Sequence, residues 1–98
     1  WGIEYQDAAS SQQIALAHLM IDAGANLIIG SHPHVLQPIE SYHNGVILYS
    51  LGNFIFDQIG EKQNQSEIVS VDFWKDGPPT VHVTPVEIEQ YFPHEAKP

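Results

Sequence analysis

"SSQQIALAHLMIDAGANLIIGSHPH", residues 10–34, is the stretch on which the fold turns. Ser10 or Ser11 can cap a helix, with a Gln three residues on standing where a capping box usually has Glu. Ile14, Ala17, His18 and Ile21, with Ala15 and Leu19, recur at helical spacing and form an apolar stripe. Gly24 suits the position just past a helix end, because it accepts the left-handed backbone found there. The spacing therefore predicts a helix over 10–23. "NLIIG", residues 26–30, follows as a strand, too short for a helix and rich in β-branched residues. Helix, tight glycine turn and strand read as the second half of a βαβ unit. Its first strand would lie at or before "WGIEY", residues 1–5.

Beyond residue 36 the pattern changes to antiparallel β. "QPIESYHNGVILYSLG", 37–52, predicts a hairpin over 38–51 turning about Asn44-Gly45, since both residues accept positive φ. Residues 58–67 are polar and read as loop. Alternation at Val69, Val71 and Phe73, with a turn at Asp76-Gly77-Pro78-Pro79, predicts a second hairpin over 67–88. The tail "YFPHEAKP", 91–98, has no periodicity and is expected to fray. Residues 1–98 thus read as one partial α/β domain, truncated at its N-terminus, with a mixed sheet and antiparallel hairpins.

The chain has 98 residues, 43% hydrophobic and only 15% charged, a composition of folded rather than disordered chains. Three Lys+Arg against 12 Asp+Glu give a formal net charge of −9. That balance argues against nucleic acid and anionic membranes as direct partners, which need clustered basic residues. The absence of cysteine excludes disulfides, thiolate nucleophiles and Cys-type zinc sites. No apolar run nears the roughly 20 residues of a transmembrane helix.

His32 and His34 are the first candidates for chemistry. In an extended stretch, residues i and i+2 face the same side, so two imidazoles can meet one ion. Pro33 fixes its own φ and restricts His32, reducing the freedom that ligation must freeze. The pair follows the C-terminal end of a predicted parallel strand, where open α/β sheets bind ligands. Neutral imidazole suits Zn, Fe or Mn. The same triplet also reads as a plain Pro-containing turn, and two histidines cannot complete a four-ligand site. Asn53 and Asp57, in "YSLGNFIFD", can supply ligand oxygens or orient a ligating His. Alternatively Asn53 caps a turn while Tyr49, Leu51, Phe54 and Phe56 fill the core. Gly52 there implies a bulge or a close backbone approach. Glu4 is a candidate ligand or base, or else a solvated acid. His18 reads as a packed, hydrogen-bonded histidine. His43, His82 and His94 fall on a turn, an outward strand position and the tail, and receive no role.

Taken together, "WGIEY", "MIDAGANLIIGSHPHVLQPIE" and "ILYSLGNFIFD" resemble the bacterial capsule or poly-γ-glutamate synthesis (CapA-like) family, a branch of the calcineurin-like metallophosphoesterases. The similarity runs over residues 1–57. It implies that the chain is the C-terminal portion of a four-layer α/β/β/α sandwich with a dinuclear divalent metal site (Mn, Fe or Zn), to which His32 and His34 are ligands. The family's histidine just before the tryptophan, and the superfamily's upstream Asp, His and Asn ligands, have no counterpart here. The expected function is part of a capsule biosynthesis protein with a metal-dependent phosphoesterase-like site, inactive as an isolated fragment. The alternative is a non-catalytic, extracellular polymer-binding or assembly component with a structural or vestigial metal site. Implied partners are the upstream part of the domain, a second copy through exposed sheet edges, and a phosphoester or polyanionic polymer. The implied location is the outer face of a bacterial membrane or the cell surface.

Overall fold

A computed structural model describes residues 1–55 and 60–96. Helix α1 spans Ser11–Asp22. Ser10 is its N-cap, and the Ser10/Gln13 capping box forms in both directions: Ser10 Oγ accepts from the Gln13 N–H, and Gln13 Oε1 accepts from the Ser10 N–H. Six strands follow: β1 Leu27–Ile29, β2 Ile39–Tyr42, β3 Gly45–Leu48, β4 Gln65–Asp72, β5 Thr80–Glu89 and β6 Phe92–Glu95.

The first sheet is mixed, in the order β1-β3-β2. β1 runs parallel to β3, with Ile28 opposite Ile47, and β2 runs antiparallel to β3, with Glu40 also opposite Ile47. The second sheet is an antiparallel meander, β4-β5-β6. Two isolated bridges, Leu36 to Leu51 and Gly52 to Ser66, connect the chain between them. The α/β class with one mixed sheet and antiparallel hairpins is therefore present.

The core follows from the helix period and the central strand. Ala17 and Ile21 of α1 are buried against Ile47 and Tyr49, with Trp1, Ala9, Ala25, Ile28 and Tyr42 packed around them. The stripe on α1 is narrower than its sequence suggests, because Ile14, Ala15 and Leu19 are exposed. Gln13, not an apolar residue, is the third buried position of the helix. Its amide donates to Gln37 Oε1 (3.0 Å), and Gln37 in turn donates to the carbonyls of Gln6 and Ala8. Buried polar groups need such partners, and this chain of amides ties residues 6–8 to the sheet.

Two local expectations are corrected. The tail does not fray throughout: Phe92–Glu95 pairs with β5, Glu89 facing Phe92 across a two-residue loop. Gln90 and Tyr91 both take positive φ (48° and 72°), the backbone of a tight hairpin turn without its usual Asn or Gly. In the first hairpin the loop is His43-Asn44, one residue earlier than expected. Tyr42 pairs with Gly45, and positive φ falls on His43 (51°). β1 is an edge strand of the mixed sheet and only partly buried, with Ile29 65% exposed.

Candidate functional site

The loop between β1 and β2 carries both histidines, and its shape is set by contacts distant in sequence. Trp1 docks at its start. The indole stacks on Tyr49 with ring centroids 5.8 Å apart, and its Nε1 donates to the Tyr49 carbonyl (2.8 Å). Gly30 makes this possible, because a Cβ there would collide with the Trp1 indole and the Tyr49 carbonyl. Residues 2–5 then run beside the loop, and the Tyr5 N–H donates to the Pro33 carbonyl (2.8 Å).

On the other side, residues 50–53 run antiparallel to 35–37. The Gln37 N–H donates to the Ser50 carbonyl, and Ser50 Oγ donates to the Val35 carbonyl. Gly52, at φ 75°, lies so close to β4 that an added Cβ would stand 2.7 Å from the Gln65 carbonyl oxygen. This is the close backbone approach expected of it. Asn53 is thereby delivered to His34.

The segment holding the histidines is not extended, contrary to expectation. His32 has φ 107° and His34 φ 62°, and Tyr5 opposite them has φ 63°. The reason is tertiary: the carbonyl of buried Pro33 is held by Tyr5 and the His34 ring by Asn53, so the loop bends between two anchors. Left-handed backbone at non-glycine residues costs about 1–3 kcal/mol each and persists where surrounding contacts over-determine it, a pattern concentrated at functional sites.

Asn53 is 6% exposed. Its Nδ2 donates to the Gln63 carbonyl (3.1 Å), which can only accept, so its Oδ1 must be the atom facing His34 Nδ1 at 2.8 Å. His34 therefore carries its proton on Nδ1, and in the neutral ring Nε2 is the acceptor nitrogen. A histidine whose second nitrogen is held this way has the tautomer and orientation of a metal ligand. His32 Nε2 stands 4.0 Å from Glu4 Oε1, and the two imidazole centroids are 6.1 Å apart. His32 and Glu4 are both about half exposed.

The structure thus brings together Glu4, His32, His34 and Asn53, which are far apart in sequence. Asp57 lies outside the described residues. The donors suit a first-row divalent ion in kind, two imidazoles and a carboxylate, but supply only part of a coordination sphere. Glu4, His32 and His34 do not converge on one point; among the described residues the only three-ligand group is Glu87, Glu89 and His94.

Sequence reasoning gave Glu40 no role, yet it joins helix to sheet. It accepts from Tyr49 Oη (2.7 Å) and meets His18 Nε2 at 2.9 Å, while the His18 ring stacks on Tyr42 at 3.8 Å. The hydrogen bond from Tyr49, then that from His18, holds the Glu40 carboxyl below its ordinary range. Burial, and then Glu40, pushes the Tyr49 phenol well up. The signal for this contact was the helical position of His18, read as packed and hydrogen-bonded.

An α/β chain with one mixed and one antiparallel sheet carries its two histidines on the loop after a parallel strand, buttressed by the "WGIEY" and "SLGN" segments. The model for the bacterial capsule synthesis protein PGA_cap family matches residues 1–58, and the chain belongs to that family. It is 47% identical over 97 residues to "PGA biosynthesis protein CapA" of Bacillus subtilis (strain 168), covering 99% of this chain and 26% of the relative. It is 44% identical over 93 residues to "Capsule biosynthesis protein CapA" of Bacillus anthracis, covering 95% and 23%. The chain spans about a quarter of the length of these curated relatives. None of its described helices is long and apolar enough to cross a membrane.

Proposed function

We propose that the chain contributes the histidine loop of a divalent-metal, phosphoesterase-like site to a protein of capsule or poly-γ-glutamate biosynthesis at the bacterial cell surface. The observation that carries this reading is the Asn53–His34 contact, which fixes the Nδ1-protonated tautomer, the form a ligating imidazole would use. His32 and His34 would hold the ion, which when bound would supply an activated water and neutralise phosphoryl oxygens. Asn53 fixes the His34 ring, and Tyr5, through the Pro33 carbonyl, fixes the bend between the two histidines. Glu4 faces His32 and can hold its ring or accept a proton at the carboxylate. In a chain of net charge −9, a bound cation is the means at hand to attract an anionic phosphoester.

One observation favours a second reading, a polymer-binding or assembly role with a structural metal. Glu4, His32 and His34 do not converge as three ligands, so further donors are required. The open edge of β1, with exposed Leu16, Leu19 and Ile29, fits burial against further protein, whether the upstream part of the domain or a second copy.

The test uses the intact, full-length protein. The catalytic reading expects His32→Ala and His34→Ala each to abolish hydrolysis of an aryl phosphoester and to lower bound metal. Unchanged metal content in both variants would sink the metal assignment. Polymer binding that survives in variants of an inactive wild type would establish the second reading.

A further inference from the structure

Residues 2–8, the segment that carries Glu4 and Tyr5, are exposed throughout and belong to no helix or strand. Apolar burial therefore does little to seat them, and polar contacts set their path. Two glutamines supply several of these. The Gln37 amide donates to the carbonyls of Gln6 (3.0 Å) and Ala8 (3.3 Å), on either side of Asp7. Gly2, at φ 80°, passes so close to Gln13 that an added Cβ would fall on its side-chain amide. An exposed ion pair, Lys62 with Asp7, adds little.

Gln13 and Gln37 are each 4% exposed, unusual for glutamine, and their amides form a directed relay. The Ser10 N–H donates to Gln13 Oε1 (2.8 Å), Gln13 Nε2 donates to Gln37 Oε1 (3.0 Å), and Gln37 Nε2 donates onward to the two carbonyls. The first donor and the last acceptors are backbone groups, so both amides can point only one way. Gln37 is itself fixed, its own N–H donating to the Ser50 carbonyl. The cap of α1 is thereby linked to the segment beside the histidine loop. This accounts for glutamine at the capping-box position where glutamate is usual. A carboxylate would cap α1 equally well but could not donate to Gln37.

Next to Gln6 is Tyr5, whose N–H holds the Pro33 carbonyl (2.8 Å), and then Glu4, 4.0 Å from His32 Nε2. We propose, resting on the reading of that loop as a metal-ligand site, that Gln13 and Gln37 are positioning residues for it. Their amide relay seats residues 4–8 so that Glu4 meets His32 and the Tyr5 N–H fixes the bend between the two histidines. Both act through the segment they hold rather than at the ion. Gln13→Glu separates this role from helix capping. The new carboxylate still accepts from the Ser10 N–H, and Gln37 is expected to answer it by turning its amide round. Gln37 Oε1 then faces the carbonyls of Gln6 and Ala8, acceptor against acceptor, and the segment is released while α1 stays capped.

The test is hydrogen–deuterium exchange by mass spectrometry on the intact, full-length protein, beside calorimetric Zn²⁺ binding. In Gln13→Glu, exchange in a peptide covering residues 2–8 is expected to rise about tenfold, while a peptide covering β3 keeps the wild-type rate. The Zn²⁺ binding that is lost in the His32→Ala/His34→Ala double variant is expected to weaken about tenfold, as when a partner behind a metal ligand is removed. Gln37→Met, which removes the donors without adding charge, is expected to do the same. Unchanged exchange over 2–8 in either folded variant overturns the inference, and so does a rise shared equally by β3, which is general destabilisation. Release of the segment with unaltered Zn²⁺ affinity also overturns it and leaves the metal reading standing. A wild type whose Zn²⁺ binding does not depend on His32 and His34 sinks the metal reading, and this inference with it.

Discussion

Replacing Asn53 with alanine probes the histidine loop and its anchorage at once. The amide is 6% exposed, and its bonds include one accepted from His34 at 2.8 Å and one donated to the Gln63 carbonyl at 3.1 Å. Each such bond contributes about 1 kcal/mol, and stranding a partner away from water adds about 1 kcal/mol more. Asn53→Ala is therefore expected to cost about 3 kcal/mol. In a 98-residue domain 1 kcal/mol moves Tm by about 4–8 °C, so the melt should fall by something on the order of 15 °C. Circular dichroism reads that shift, and ¹⁵N shifts of the His34 ring read the tautomer. The wild-type ring should be protonated at Nδ1, whereas the alanine variant should lose that preference. Asn53→Asp keeps an acceptor for His34 but sets a carboxylate oxygen against the Gln63 carbonyl, so it should retain the tautomer while still lowering Tm. A melt within about 2 °C of wild type, with an unchanged His34 tautomer, would refute the reasoning.

Other perturbations follow from the same contacts. Gly30→Ala places a methyl group on the Tyr49 carbonyl and the Trp1 indole, and backbone cannot yield cheaply. A loss of about 2 kcal/mol or more is expected by urea unfolding, and an unshifted midpoint would count against the packing described. Tyr49→Phe removes the hydroxyl that donates to Glu40 and is expected to cost about 1 kcal/mol by the same measurement. Because the folded Glu40 pKa is held below 4.5, its stabilising contribution is complete above that value and is lost as pH falls through the lower folded value. Acid unfolding should therefore show a component below about pH 4.5 that shrinks in Tyr49→Phe. An identical acid profile for the two proteins would contradict the assignment.

The parts of the fold that were legible in the sequence are those fixed by neighbouring residues. Ser10 and Gln13 signal the start of α1 and Gly24 its end, and both main hairpins announce themselves by period and turn composition. Where distant contacts decide, the local signal fails. Nothing near Gln90-Tyr91 marks a tight turn, so β6 could be found only through its pairing with β5. Nothing in "SHPH" predicts positive φ at both histidines; Tyr5 and Asn53 impose it from outside the triplet.

 The Tyr5 N–H and the Asn53 amide each reach that loop from a separate part of the chain, which no local pattern records. Glu4 and Asn53 were legible as residue types suited to the chemistry, but their meeting with the histidines depends on the docking of Trp1 and on the path of residues 50–53. Glu40 was illegible for the same reason, since its partners lie on α1 and beyond the end of β3.

The stacking of Trp1 on Tyr49 gives the molecule an optical reporter of its own. The chain has two tryptophans, and the other, Trp74, is 59% exposed on the far hairpin, where its Nε1 donates to Thr80. Trp74 is expected to emit as a solvated indole, and Trp1 as a stacked and hydrogen-bonded one. With Trp74 replaced by phenylalanine, the remaining fluorescence comes from the segment that buttresses the histidine loop, so seating of that loop can be followed in solution without a label.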